Sequence, residues 1–162
     1  MNWKPPAPID ASPENRARVS GPGLRTLFNV APVWELDVAE IRTLLGMPTS
    51  DEFQTWSDTA RADEPLTLET DVLLRISAVL GIYKFLRLLE GTHDEGSKRL
   101  RGINRENPFN GKAPMELMLS GFEPGLMDVR GYLLAKEYGG GTAPNEVDRN
   151  FKPYTDANLI RI

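Results

Sequence analysis

The 162-residue chain has no cysteine and a single histidine, His93. Without thiols there are no disulfides, thiolate metal ligands or cysteine nucleophiles. His93 lies in the turn Gly91-Thr92-His93-Asp94 with no second histidine or cysteine to share a metal, and it reads as a surface residue. Long apolar runs are missing too: nothing approaches the ~20 residues that span a bilayer, and Met1–Pro8 lacks the apolar core of a secretory signal. A cytoplasmic location without a membrane partner is the expectation. Catalytic signatures are also absent. There is no G-x-S-x-G, no H-E-x-x-H and no G-x-x-x-x-G-K-[ST], so Gly139-Gly140-Gly141 reads as a hinge and not as a phosphate cradle. The carboxylates are scattered and read as solvated charges; no enzyme, cofactor or metal is expected. Finally, net basic charge is lacking. A formal charge of −4 and a pI near 5.1 exclude a protein that coats nucleic acid through its net field, so any DNA contact has to come from a local patch.

What is present is the composition of one soluble globular domain, 40% hydrophobic and 26% charged. Residues 1–33 hold six of the 13 prolines plus Gly21 and Gly23, and read as a flexible N-terminal arm. From Trp34 the spacing becomes helical. Val38, Ile41 and Leu44 mark a short helix stopped by Gly46, and Thr49 with Glu52 has the spacing of a capping box opening a second. Thr67 is placed to cap a central buried helix carrying Leu68, Val72, Ile76, Val79, Tyr83 and Leu86 and ending at Gly91; this completes a helix-turn-helix-like and central-helix region over 34–91. Over 92–138 a basic helix near Glu95–Arg101 leads to the turn Asn107-Pro108-Phe109-Asn110-Gly111. Pro114 and Pro124 are each placed to open a further helix. Residues 139–162 read as a tail. No segment alternates apolar and polar residues, so the expected fold is an all-α bundle with a degenerate helix-turn-helix-like part and flexible ends.

Two segments carry opposite charge. Asp37–Asp58 sets Asp37, Glu40, Asp51, Glu52 and Asp58 against Arg42 alone, a net of −4, which would repel phosphates from a groove-reading helix. Arg42 and Gln54 are the candidate DNA-contacting residues there. Lys98–Lys112 sets Lys98, Arg99, Arg101, Arg105 and Lys112 against Glu106, a net of +4: either a solvated face or a dock for an acidic surface or for phosphates.

The run Leu74-Arg75-Ile76-Ser77-Ala78-Val79-Leu80-Gly81-Ile82-Tyr83-Lys84 and the stretch from Asn107 to Met118 resemble, respectively, the central helix and the toxin-binding signature of the antitoxin family named after MbcA, ParS and Xre. The resemblance spans about Trp34 to Gly140. It implies a type II antitoxin that neutralises a RES-domain, NAD-consuming toxin by direct binding and, as a toxin–antitoxin complex, can repress its own promoter. It implies a homodimer or a toxin–antitoxin hetero-oligomer. The toxin-binding candidates are Arg101, Asn107, Phe109, Gly111, Lys112, Pro114, Met115 and Met118, with Tyr154 and Arg161 in the tail. The apolar residues of Phe151–Ile162 either fold back on their own domain or cover the toxin's cleft. The competing class is a DNA-binding regulator acting alone.

Overall fold

The computed structural model describes residues 10–139, and within them seven α-helices: α1 Pro13–Val33, α2 Val38–Leu44, α3 Ser50–Arg61, α4 Thr70–Glu90, α5 His93–Arg101, α6 Pro114–Ser120 and α7 Met127–Glu137. The only strand-like pairing among them is an isolated antiparallel bridge between Asn104 and Lys112. The all-α expectation is met. The bundle is built around α4, which packs most extensively against α7 and α1. Its residues Val72, Ile76, Ala78, Val79, Ile82, Phe85 and Leu86 are buried.

The arm expected at 1–33 is corrected for Pro13–Val33, which forms a helix as long as α4; residues 1–9 lie outside the described residues. Pro13 occupies the first turn, where a missing N–H costs nothing, and the Ser12 hydroxyl accepts the Asn15 N–H at 3.3 Å. Pro22 and Pro32 lie on the exposed side. Leu24, Leu27, Val30 and Ala31 share the opposite, buried side at helical spacing, so tertiary packing outweighs the two interior prolines.

Thr67 does not cap α4, because the chain before it is extended and stapled to α1. Leu68 N–H donates to the buried Ser20 hydroxyl at 2.9 Å, while Arg16 donates to Leu68 C=O and to Glu69. The helix therefore begins at Thr70. Pro124 does not open α7 either: Phe122–Leu126 is a bulged turn with a cis Glu123–Pro124 bond. Gly125 has φ +135°, and a Cβ there would sit 3.0 Å from Leu117 C=O, so the turn needs glycine. Helix α7 starts two residues later.

Candidate functional site

Helices α2 and α3 form the expected helical pair, and its polar groups are used locally. Asp37 and Glu40 cap α2 reciprocally, at 2.7 and 3.1 Å; Thr49 and Glu52 do the same for α3, at 3.2 and 2.8 Å. Arg42 turns inward and donates through Nε and Nη2 to Pro48 C=O, pinning the connecting turn. Gln54 donates to both carboxylate oxygens of Asp58 at 2.9 Å. Both DNA candidates thus have intramolecular partners. The face around the start of α3 exposes Asp51 and Glu52.

The basic stretch divides in two. Lys98 pairs with Asp94, and Arg99 pairs with Glu90. Arg101 reaches back across the fold: it donates to Glu40 at 2.8 and 3.0 Å and to the carbonyls of Trp34 and Glu35 at 3.0 Å. The guanidinium beside Glu40 holds that carboxyl below its usual range, and Glu40 in turn raises Arg101. Arg101, a toxin-binding candidate, is therefore a brace between α5 and the start of α2. Arg105 and Lys112 differ from these three, since neither side chain meets a hydrogen-bond or ion-pair partner among the described residues.

Between α5 and α6 the chain forms a closed loop. Asn104 N–H donates to Lys112 C=O at 3.0 Å, and Gly111 N–H donates to Asn104 C=O at 2.8 Å. Phe109 plugs the loop from inside, edge-on to Tyr132 with ring centroids 4.8 Å apart. Pro114 opens α6 at its first position, and Met115 and Met118 carry the anchor into the core. The Asn107–Met118 candidates thus split: Phe109, Pro114, Met115 and Met118 are buried, whereas Asn107, Gly111 and Lys112 are exposed. A binding surface can use only the second set directly. The first fixes its shape. Tyr154 and Arg161 lie outside the described residues.

A hydrogen-bonded ridge borders the loop. Glu106 accepts from Lys136 at 2.8 Å and from the Tyr132 hydroxyl at 2.9 Å; these bonds, Lys136 first, lower the Glu106 carboxyl, and Lys136 is raised in return. On one side of the ridge an open cleft of about 700 Å³ is bordered by Asn107, Pro108, Met127, Asp128 and Gly131. On the other side a cleft of about 330 Å³ lies against Lys98, Arg99, Gly102, Ile103 and Asn104. Ile103 stands 75% exposed at its edge. Ile103, Tyr132 and Lys136 escaped sequence reading. The available signal was an apolar residue between Gly102 and Asn104 that fits no helical stripe, and a Tyr–Lys pair four apart beside the Leu126, Val129, Leu133 stripe. His93 stacks on Tyr83 with centroids 5.8 Å apart, and its Nδ1 lies 3.5 Å from the Tyr83 hydroxyl. Among the described residues no group of three or more His, Asp or Glu is arranged to hold a metal ion, and no helix is long and apolar enough to cross a membrane.

The chain is 30% identical over 116 residues to the uncharacterized protein y4oB of Sinorhizobium fredii (strain NBRC 101917 / NGR234), an alignment covering 72% of this chain and 84% of that protein. It belongs to the y4oB family. No family model and no solved structure matches the chain. Membership in the y4oB family carries no stated activity, so a functional reading has to come from the loop, the ridge and the two clefts.

Proposed function

We propose that this chain is the antitoxin of a type II toxin–antitoxin pair and neutralises its toxin in the cytoplasm by direct protein binding. The observation that carries the reading is the division within Asn107–Met118. A buried anchor of Phe109, Pro114, Met115 and Met118 holds a loop whose outer residues Asn107, Asn110, Gly111 and Lys112 face solvent. A loop fixed in advance loses little freedom on binding, which is how a rigid scaffold gains affinity. The exposed apolar side chains Ile103, Leu134 and Tyr138 add area of the kind that interface centres use. Resemblance to the MbcA, ParS and Xre family names the partner class as a RES-domain toxin. On this reading the NAD chemistry belongs to the toxin, and the assembly is a homodimer-based or hetero-oligomeric complex that can repress its own promoter.

A regulator acting alone on DNA fits less well. The carboxylates of Asp51 and Glu52 stand at the start of α3, and Arg42 and Gln54 already have partners. Phosphates brought to this face meet repulsion without a compensating cation.

The test is co-expression with a RES-domain toxin, the first candidate being any such reading frame found beside the gene. Restored growth and a co-purifying complex are expected. A chain that neither rescues growth nor binds the toxin, yet shifts a duplex in a sequence-specific way on its own, overturns the reading in favour of the regulator. A truncation ending at Tyr138 separates the body from the tail: full rescue assigns neutralisation to the folded body, and retained binding without rescue assigns it to residues 139–162.

A further inference from the structure

We infer that the outward side of α4 is a two-fold interface on which a second copy of this chain packs antiparallel. Such a pairing gives the homodimer its surface and needs no toxin. Helix α4 is apolar on nearly every side, a pattern that suits a helix covered all round. Its neighbours do not cover it all round. Helix α1 meets it where Gly23 adjoins Ile76, α7 meets it where Arg130 lies over Gly81, and an arc is left between the two. On that arc Leu73 and Leu80 are half-buried, whereas Ser77, Lys84 and Leu88 are exposed, Leu88 to 56%. These five recur every three or four residues and so form one stripe, about 22 Å long at 1.5 Å per residue.

The stripe complements itself when reversed. In an antiparallel pair centred between Leu80 and Gly81, Leu88 of one copy stands level with Leu73 of the other, and Lys84 stands level with Ser77. Beside Leu73 lies an apolar hollow of about 190 Å³, walled by Val19, Leu73, Leu74 and Ser77 and bordered by Asp10 and by Arg16, which is already paired with Glu69. The protruding Leu88 of each copy enters the hollow of the other, so one contact is made twice by symmetry. Charge agrees with this direction. Lys84 and Arg87 flank Leu88, and neither is paired with a carboxylate among the described residues: Lys84 lies over the Phe85 ring and Arg87 donates to Gly91 C=O. Reversal brings these cations toward Asp10, whereas a parallel pair would set Lys84 against its own copy. Arg130, over Gly81 near the axis, is the cation that comes nearest its own copy, and it limits the affinity.

The test uses the full chain, followed by sedimentation from low to high micromolar concentration, where a reversible monomer–dimer equilibrium is expected. Leu88→Glu should weaken the dimer roughly tenfold or more while circular dichroism stays helical. Ile103→Glu, at a side chain 75% exposed on the 102–112 loop, should leave the dimer unchanged. The direction of packing is read separately. Because the chain has no cysteine, thiols can be placed singly, and mild oxidation of an equimolar mixture of Ser77→Cys and Lys84→Cys chains should give mainly the mixed disulfide. A monomer throughout the range, a dimer that Leu88→Glu leaves intact or that Ile103→Glu weakens equally, or a predominance of like-with-like disulfides would overturn the interface. No toxin enters these measurements, so failure of the antitoxin reading and failure of the interface are told apart.

Discussion

The α2–α3 pair and the 102–112 loop are both turns between helices, and both carry dense charge, yet they use it in opposite ways. In the first, nearly every charged or amide group serves the fold. Asp37 and Glu40 cap one helix, Thr49 and Glu52 cap the next, Arg42 pins the turn, and Gln54 holds Asp58. In the second, the fold is held by backbone bonds and a buried Phe109, which leaves Arg105, Asn107 and Lys112 facing solvent. Net charge alone does not identify a binding surface. What remains after internal pairing is what a partner could meet.

The largest expected effect comes from removing the plug that makes the loop rigid. Phe109→Ala deletes a buried ring and its edge-on contact with Tyr132, and should cost ~3–5 kcal/mol with faster amide exchange throughout 102–112. A melting curve superimposable on wild type would mean the loop is held by other means. Arg101→Ala cuts the brace between the two regions and leaves two carbonyls and Glu40 short of a donor, at about 0.5–1.5 kcal/mol because most of these groups can turn to water. Its pH dependence has a definite sign. Glu40 is depressed in the folded state by Arg101, so the stabilisation is present above the unfolded carboxyl value and lost as pH falls through the lower folded one. Urea midpoints of wild type and Arg101→Ala should therefore converge in acid and separate toward neutrality. A gap independent of pH would place the effect in packing.

How far the sequence foretold these regions depended on whether the signal was local. Thr49 with Glu52, Gly91 after α4 and Pro114 at the start of α6 were all legible, because caps and stops act over three or four residues. Helix α1 was hidden by Pro22, Pro32, Gly21 and Gly23, and the decisive contribution is non-local burial of Leu24 and Leu27. The start of α4 shifted for a similar reason, since Ser20 lies 48 residues from Leu68, whose N–H it accepts. In the candidate site the Asn107–Met118 segment was recognised as a unit. Its division into anchor and surface was not, because Phe109 and Lys112 differ in burial only once Tyr132 and Asn104 are in place. Arg101 reads as a surface cation in the sequence because its partner Glu40 lies 61 residues earlier.

Smaller effects sharpen the contrast. Thr49→Ala removes a helix cap in the region where polar groups serve the fold, so about 1 kcal/mol of stability should be lost with no change in partner binding. Arg105→Ala with Lys112→Ala should do the reverse, moving stability by less than about 0.5 kcal/mol while weakening partner binding. Calorimetry and pull-down on the same two proteins check both halves; a stability loss for the loop variant equal to that of Thr49→Ala would erase the distinction.

The most direct measurement is growth rescue in cells expressing the toxin together with either wild-type chain or Arg105→Glu/Lys112→Glu, with both proteins shown to accumulate and to melt alike. Rescue by wild type and arrest with the reversed loop is the predicted result. Equal rescue by the two would show that the unpaired cations of the loop play no part in neutralisation.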